Sequence, residues 1–216
     1  MKIDLHVHTH YSEDAKTTLE QVVGYAQKKG LDGVAVTDHD TVTGARRLAT
    51  QKGFLVIPGI EVSSLHGHIL GLNITEPVQP KLDLTQTVEK IRQLGGIAVI
   101  AHPSVVIKTG LGTNIPSASH IDAVEVINAS AFPFLLSTYL GRRLAHRLEV
   151  PQTAGTDAHY PEEIGSAYTI IDADSNRDDV IEAIRQGKTE PLGKPISWIR
   201  RLERGSEGVK KGLKGL

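Results

Sequence analysis

Cysteine is absent from all 216 residues. That excludes disulfides and thiolate-held metals, so any transition-metal site must be built from imidazole and carboxylate. No apolar run approaches the roughly 20 residues needed to cross a bilayer. The longest, 97–107, is interrupted by His102, Pro103 and Ser104. The opening Met1-Lys2-Ile3-Asp4-Leu5-His6 has no signal-peptide apolar stretch, so a cytoplasmic protein with no membrane partner is expected. Neither charge dominates: 24 Lys plus Arg face 25 Asp plus Glu, a net of −1. That argues against a general nucleic-acid-binding surface. The nucleophile-elbow pattern Gly-x-Ser-x-Gly is also missing, which removes the commonest serine-hydrolase signature.

What is present is an alternation of strand-like and helix-like segments. Lys2–Val7 reads as a strand and Thr18–Lys29 as an amphipathic helix closed by Gly30. Strands follow at Gly33–Thr37, Phe54–Ile57, His68–Leu72, Ile97–Ala101, Ala123–Ile127 and Tyr168–Ile171, with Pro151–Gly155 leading into Thr156-Asp157. Helices are expected over Val42–Lys52, Leu84–Leu94, Leu135–Leu148 and Arg177–Gln186. The continuous apolar character of IAVIA suits a parallel strand buried on both faces. The whole pattern implies βα units and a parallel sheet or barrel. One domain is expected over 1–198, followed by a basic tail at 199–216. Charge changes near this point. From Lys194 onward seven basic residues face two acidic ones, a net of +5, which leaves residues 1–193 at −6.

The chain holds ten histidines, and their placement is more informative than their number. His6 and His8 end the first strand, His39 follows GVAVT-Asp38, His68 opens HILGL, and His102 follows IAVIA. Asp157 and His159 follow the Gln152–Gly155 segment. Strand C-termini share one face of a (β/α) barrel, so these groups would converge. Residues i and i+2 of a strand point the same way, so His6 and His8 can reach one ion together. Imidazole plus carboxylate suits zinc, manganese or iron. A carboxylate such as Glu61 can bridge two ions, and such a pair activates water for an in-line displacement.

Taken together, Asp4-Leu5-His6-Val7-His8-Thr9 with Tyr11-Ser12-Glu13-Asp14, Val36-Thr37-Asp38-His39-Asp40-Thr41, Gly59-Ile60-Glu61-Val62, Ala101-His102-Pro103 and Gly155-Thr156-Asp157-Ala158-His159 resemble the polymerase and histidinol phosphatase (PHP) family. The resemblance runs from residue 3 to about 190 and keeps the family's motif order. It implies an α/β fold, a distorted (β/α)7, TIM-like barrel with two or three divalent ions at the strand C-terminal face. His6 and His8 would bind one ion with help from Asp157, and Glu61 would bridge to a second. His68 and His102 would complete the second ion, and Asp14, His39 and His159 would hold a third. Asp14 stands where some relatives have His. The implied activity is hydrolysis of a small phosphate ester (a nucleotide, short oligonucleotide or sugar or histidinol-type phosphate) by a hydroxide held between the ions. The compact chain leaves no room for the inserted lobe of some relatives. Ser104-Val105-Val106 stands where many relatives carry a basic residue.

Other residues are open to two readings. Asp157 and His159 are candidate catalytic residues as well as ligands. His10 could protonate a leaving oxygen or simply face solvent. Asp38 is expected to orient a ligating histidine. Asp4 could do the same or support the barrel floor, and Asn128 is expected as a polar contact in the site. His66, His120 and His146 read as surface residues, while Lys108, Arg142 and Arg143 are candidates to reach substrate phosphate. Two rival functions are an amidohydrolase-like cleavage of a C–N or C–O bond and a non-catalytic PHP module. The first would be favoured by a strand-end lysine, and none is seen. The second usually accompanies lost ligands.

Overall fold

A computed structural model describes residues 1–103 and 120–201 of the chain. The elements run β1 (Lys2–Val7), α1 (Leu19–Lys28), β2 (Gly33–Val36), α2 (Thr43–Leu48), β3 (Leu55–Ser64), β4 (Gly67–Leu72), α3 (Leu84–Gln93), β5 (Ile97–Ile100), β6 (Ala123–Asn128), α4 (Phe134–Leu148), β7 (Gln152–Gly155), β8 (Ala167–Ile171), α5 (Arg177–Arg185) and β9 (Thr189–Gly193). Local chemistry sets the helix ends. Thr18 and Gln21 form a capping box at α1, and Asp83 and Gln86 form another at α3. Gly30 and Gly95 follow these helices at φ of 67° and 82°, the left-handed conformation that turns the chain toward the next strand.

The strands form one sheet in the order β7-β6-β5-β4-β3-β2-β1-β8-β9. The seven strands β1 to β7 curl until the end of β7 meets the end of β1. There His8 N–H donates to the Ala158 carbonyl at 2.9 Å and Asp157 N–H donates to the His6 carbonyl at 2.8 Å. Val7 and Ala158 form a parallel bridge. Lower down, β8 pairs antiparallel with β1 at Lys2 and Ile3. Its Thr169 hydroxyl accepts from Ala154 N–H at 2.8 Å and donates to the Ala154 carbonyl at 3.0 Å. The fold is thus a distorted, nearly closed (β/α) barrel whose seam is completed by the antiparallel β8–β9 pair, joined through α5.

The sheet is mixed, where the alternation of segments implies a parallel one. β4 runs antiparallel to both β3 and β5. The physical reason is the two-residue link Leu65-His66, with Ser64 paired to Gly67. Such a link can close a hairpin but cannot make the long crossover a parallel pair needs. β3 reaches Ser64, well beyond the Phe54–Ile57 expected. The expected helix over Val42–Lys52 shrinks to Thr43–Leu48. β9 has no counterpart in the sequence reading. It contains Pro191, is largely exposed and pairs with β8 at the sheet edge.

Packing follows the two-residue period of the strands. Leu5, Ala35, Ile57, Leu70 and Val99 come from five successive strands and form one buried cluster with Val180, Ile181 and Ile184 of α5. The opposite face of β3 and β4 packs Ile60, Val62 and Ile69 against Val88 and Ile91 of α3. Glu61 shares strand parity with Ile57, His68 with Leu70, and Glu125 with Ala123. These polar groups therefore continue the interior face above its apolar layer. Among the described residues no helix is long and apolar enough to cross a membrane.

Candidate metal centre

Six imidazoles and two carboxylates meet at the barrel mouth, with a third carboxylate at the edge. His6 Nε2 and His8 Nε2 lie 3.1 Å apart, and each is close to Glu61 Oε2, at 3.2 and 3.1 Å. Asp157 Oδ1 stands 3.7 Å from His6 Nε2 and 3.3 Å from His8 Nε2. On the other side of Glu61, Oε1 is 2.7 Å from His68 Nδ1 and 2.9 Å from His102 Nε2. His39 Nδ1 is 3.2 Å from Glu61 Oε2. At the solvent edge, Asp14 Oδ2 lies 3.0 Å from His159 Nε2 and 3.7 Å from His39 Nε2. All nine expected ligand residues thus fall in one constellation. His68 arrives because β4 runs antiparallel, which puts its N-terminal end at the mouth. Asp157 and His102 have φ of 58° and 29°, so both are held in the sparsely populated left-handed region where strain concentrates at working sites.

The outer hydrogen bonds set the tautomers. Glu125 Oε1 is 3.0 Å from His6 Nδ1, and its Oε2 accepts from His102 N–H at 3.0 Å and from Asn128 Nδ2 at 2.9 Å. An ionised carboxylate only accepts, so His6 Nδ1 donates and a neutral ring turns the lone pair of Nε2 toward Glu61 and Asp157. His8 Nδ1 meets Ser12 Oγ at 3.1 Å, and that hydroxyl in turn reaches Asp38 Oδ1 at 3.0 Å.

Lone pairs and carboxylates facing one another need positive charge between them. Burial opposes ionisation of His6 and His8, yet the surrounding carboxylates prevail. Glu125, Glu61 and Asp157 hold His6 well above its usual pKa, and Asp157 and Glu61 raise His8 to about 9. Glu61, although buried, and the part-buried Asp157 are held well below the usual carboxylate range, chiefly by His6. His39 is pushed down, mainly by burial. Without a cation, the centre must therefore gather protons to offset its own carboxylates. A divalent cation replaces them at lower cost, so the donor set fits such ions. His6, His8 and Glu61 can share one ion, as can His39, Glu61 and His68, or His8, His39 and His159.

Not every expected residue enters the constellation. Asp38 contacts no imidazole directly. Its carboxylate accepts from Thr9 N–H at 2.6 Å, Thr9 Oγ1 at 2.8 Å and Ser12 Oγ, so it reaches His8 through Ser12. Asp4 is fully buried below the seam, accepting from Thr156 N–H at 2.8 Å and Gly165 N–H at 2.9 Å, and burial raises it to about 6. Asn128 does face the site, donating to Asp157 Oδ2 at 3.4 Å. His10 is exposed, its ring 4.4 Å from that of Tyr11, and it is not brought into the cluster. His66, His120, His146, Arg142 and Arg143 are exposed. Lys108 and the segment Ser104-Val105-Val106 lie outside the described residues. Glu125 and Ser12 escaped the sequence reading. Glu125 carried one usable signal, a lone charge in the otherwise apolar strand AVEVI.

The mouth opens into a cavity of about 360 Å³ whose lining includes Asn128, Ser130, Ala131 and Phe132. A family model described as PHP-associated matches residues 139–189. An uncharacterized protein of Methanocaldococcus jannaschii is 36% identical over 142 residues, covering 60% of this chain and 82% of its own. The chain belongs to the PHP family. A phosphoribosyl 1,2-cyclic phosphate 1,2-diphosphodiesterase of Eggerthella lenta is 43% identical over 82 residues, which is 34% of this PHP chain and 31% of that enzyme. In fold, the chain matches a two-domain Bacteroides vulgatus protein, whose name gives it a predicted PHP-like metal-dependent phosphoesterase. The TM-score is 0.74 at 18% identity, covering 90% of this chain and 65% of that one.

Proposed function

We propose that this PHP protein is a metal-dependent phosphoesterase acting on a small phosphate ester. One observation carries the reading. Glu61 presents Oε2 to His6 and His8 and Oε1 to His68 and His102, so a single carboxylate is shared by two sets of imidazoles. Such sharing suits two adjacent cations. His6, His8, Asp157 and Glu61 would hold one, and Glu61, His68 and His102 the other. Asp14, His39 and His159 would hold a third. Bound there, divalent ions supply Lewis acidity and lower the pKa of water.

The chain's own groups do the rest. Glu125 and Ser12 fix the orientation of His6 and His8. Asn128 and Ser130 line the cavity beside Asp157, where they can orient a phosphate ester. Where no third ion is bound, His159, 3.4 Å from Asp157 Oδ1 and at the solvent edge, is placed instead to hold the proton that a leaving alkoxide takes up. His10 has no part in this reading. Among the described residues no lysine lines the cavity, which disfavours the amidohydrolase alternative. The complete donor set disfavours a non-catalytic module.

The test is phosphate release from nucleoside monophosphates, short oligonucleotides and sugar phosphates. Protein stripped with chelator is reloaded with Mn²⁺, Zn²⁺, Fe²⁺ or Mg²⁺. Activity should return with one or more transition metals and be lost in His8→Ala. Failure of every metal to support turnover, or metal-replete protein free of transition metal by elemental analysis, would refute the proposal.

A further inference from the structure

The wall of the cavity is held from outside the barrel by the end of the described chain. Residues 198–201 form a helical turn after β9. The Arg201 guanidinium donates to the carbonyls of Ser130 at 2.8 Å, Ala129 at 3.0 Å and Ala131 at 3.2 Å. Its Nε also reaches the Ile196 carbonyl at 3.3 Å. Ile196 N–H donates to the Ala129 carbonyl at 2.9 Å, so two separate links tie this turn to the β6–α4 loop. The next residue, Phe132, is on the cavity wall. Its ring lies 5.8 Å from the Arg201 guanidinium carbon and 5.2 Å from the Trp198 ring, edge to face.

We infer that Arg201 is a positioning residue for substrate binding, acting through the 129–132 wall, and that the functional domain extends past 198 to include it. The inference rests on the phosphoesterase reading of the cavity. A guanidinium presents five N–H donors in a rigid plane and can satisfy several carbonyls at once, which a point charge cannot. The loop is tied inward by Ala129 N–H to the Gly155 carbonyl at 3.2 Å, Ala131 N–H to the Asn128 carbonyl at 3.2 Å and Ser130 Oγ to the Asp157 carbonyl at 2.8 Å, and Arg201 supplies the partner of its three successive outward carbonyls. Asp157, besides its bond from Ser130 Oγ, has anchors that do not pass through the loop's outward carbonyls, in the His6 carbonyl and Asn128. Loss of Arg201 should therefore loosen the substrate wall and leave the metal ligands in place.

The experiment compares wild type, Arg201→Met and Arg201→Lys as full chains. It uses 4-nitrophenyl phosphate as probe and amide exchange by mass spectrometry. Arg201→Met should raise KM at least fivefold, keep kcat within twofold and leave the Kd for Mn²⁺ within twofold. Exchange in peptides spanning 129–132 should accelerate at least tenfold, while β1 stays protected. Arg201→Lys should fall between, having the charge but not the fork. Equal KM and equal exchange in Arg201→Met would overturn the inference. So would a joint loss of kcat, metal affinity and β1 protection, which marks a residue needed only for folding. If wild type hydrolyses no ester with any metal, the phosphoesterase reading fails instead. The exchange comparison then still decides whether Arg201 holds the wall.

Discussion

Glu125→Gln tests whether the centre depends on an imidazole tautomer fixed from behind. Three donors converge on the Glu125 carboxylate: His6 Nδ1 at 3.0 Å, His102 N–H at 3.0 Å and Asn128 Nδ2 at 2.9 Å. The glutamine amide has nearly the same shape but one acceptor oxygen. If that oxygen faces His102 and Asn128, its NH₂ faces His6 Nδ1. His6 must then turn its proton to Nε2, into the space a cation would fill. If the oxygen faces His6 instead, the NH₂ meets two donors, and each buried donor left unpaired costs about 1–3 kcal/mol. Either way the metal site loses. Replacing groups that orient ligating histidines commonly weakens metal binding about 10–100-fold, about 1.4–2.7 kcal/mol. Competition with a chromophoric chelator would measure Kd for Zn²⁺ and Mn²⁺. Glu163→Gln is the control, since this buried carboxylate accepts from the backbone N–H groups of His159 and Tyr160 through Oε2. An amide oxygen can replace that function, so its Kd should change less than about threefold by the same reasoning. A folded Glu125→Gln protein with wild-type affinity would refute the tautomer argument.

Metal binding should release protons. His8 is raised to about 9 in the metal-free protein, so it is protonated at neutral pH and a cation must displace that proton. Affinity should then rise with pH, up to about tenfold per unit for each proton displaced, until about pH 9. Calorimetry in buffers of different ionisation enthalpy should find release at pH 7, and none would contradict the assignment. The same raised pKa stabilises the metal-free fold below about 6.5, and that contribution is lost as pH rises through about 9. Metal-free protein should therefore lose melting temperature over this interval, a loss that bound metal suppresses. Gly155→Ala should be destabilising, because a Cβ there would sit 2.4 Å from His6 Cβ and 2.7 Å from Glu125 Oε1. Overpacking typically costs about 1–3 kcal/mol, and a chain of this size loses roughly 2–4 °C per kcal/mol. An unchanged melting curve with unchanged metal affinity would show that this close approach is not rigid.

Much of the centre was legible because strand geometry turns short spacings into shared direction. His6-x-His8 points one way because side chains repeat every second residue. Asp157 and His159 instead straddle the seam, with Ala158 between them bridged to Val7. Glu125 was harder to see. It lies inside β6, and a single acidic residue among valines gives no hint of the imidazole it meets 119 positions away. The reversal of β4 was hidden because Leu65-His66 lacks the Asn-Gly or Asp-Gly signature of tight hairpins. β9 was missed because an exposed edge strand with a proline has neither apolar alternation nor apolar continuity. His10 sits two residues from a ligand, yet the turn after β1 directs it to solvent, so closeness in sequence misled there.

The barrel seam has a consequence for how the protein is made. The first two ligands lie on β1 and the last two directly after β7, joined by hydrogen bonds between residues about 150 positions apart. A nascent chain that has emerged only as far as α4 possesses most of its imidazoles but lacks Asp157, His159 and the seam that closes them against β1. Contacts that distant in sequence form late and slowly. The share of the centre that Asp157 and His159 supply is thus tied to completion of the ring, whereas the His39, Glu61 and His68 group needs only β2 to β4.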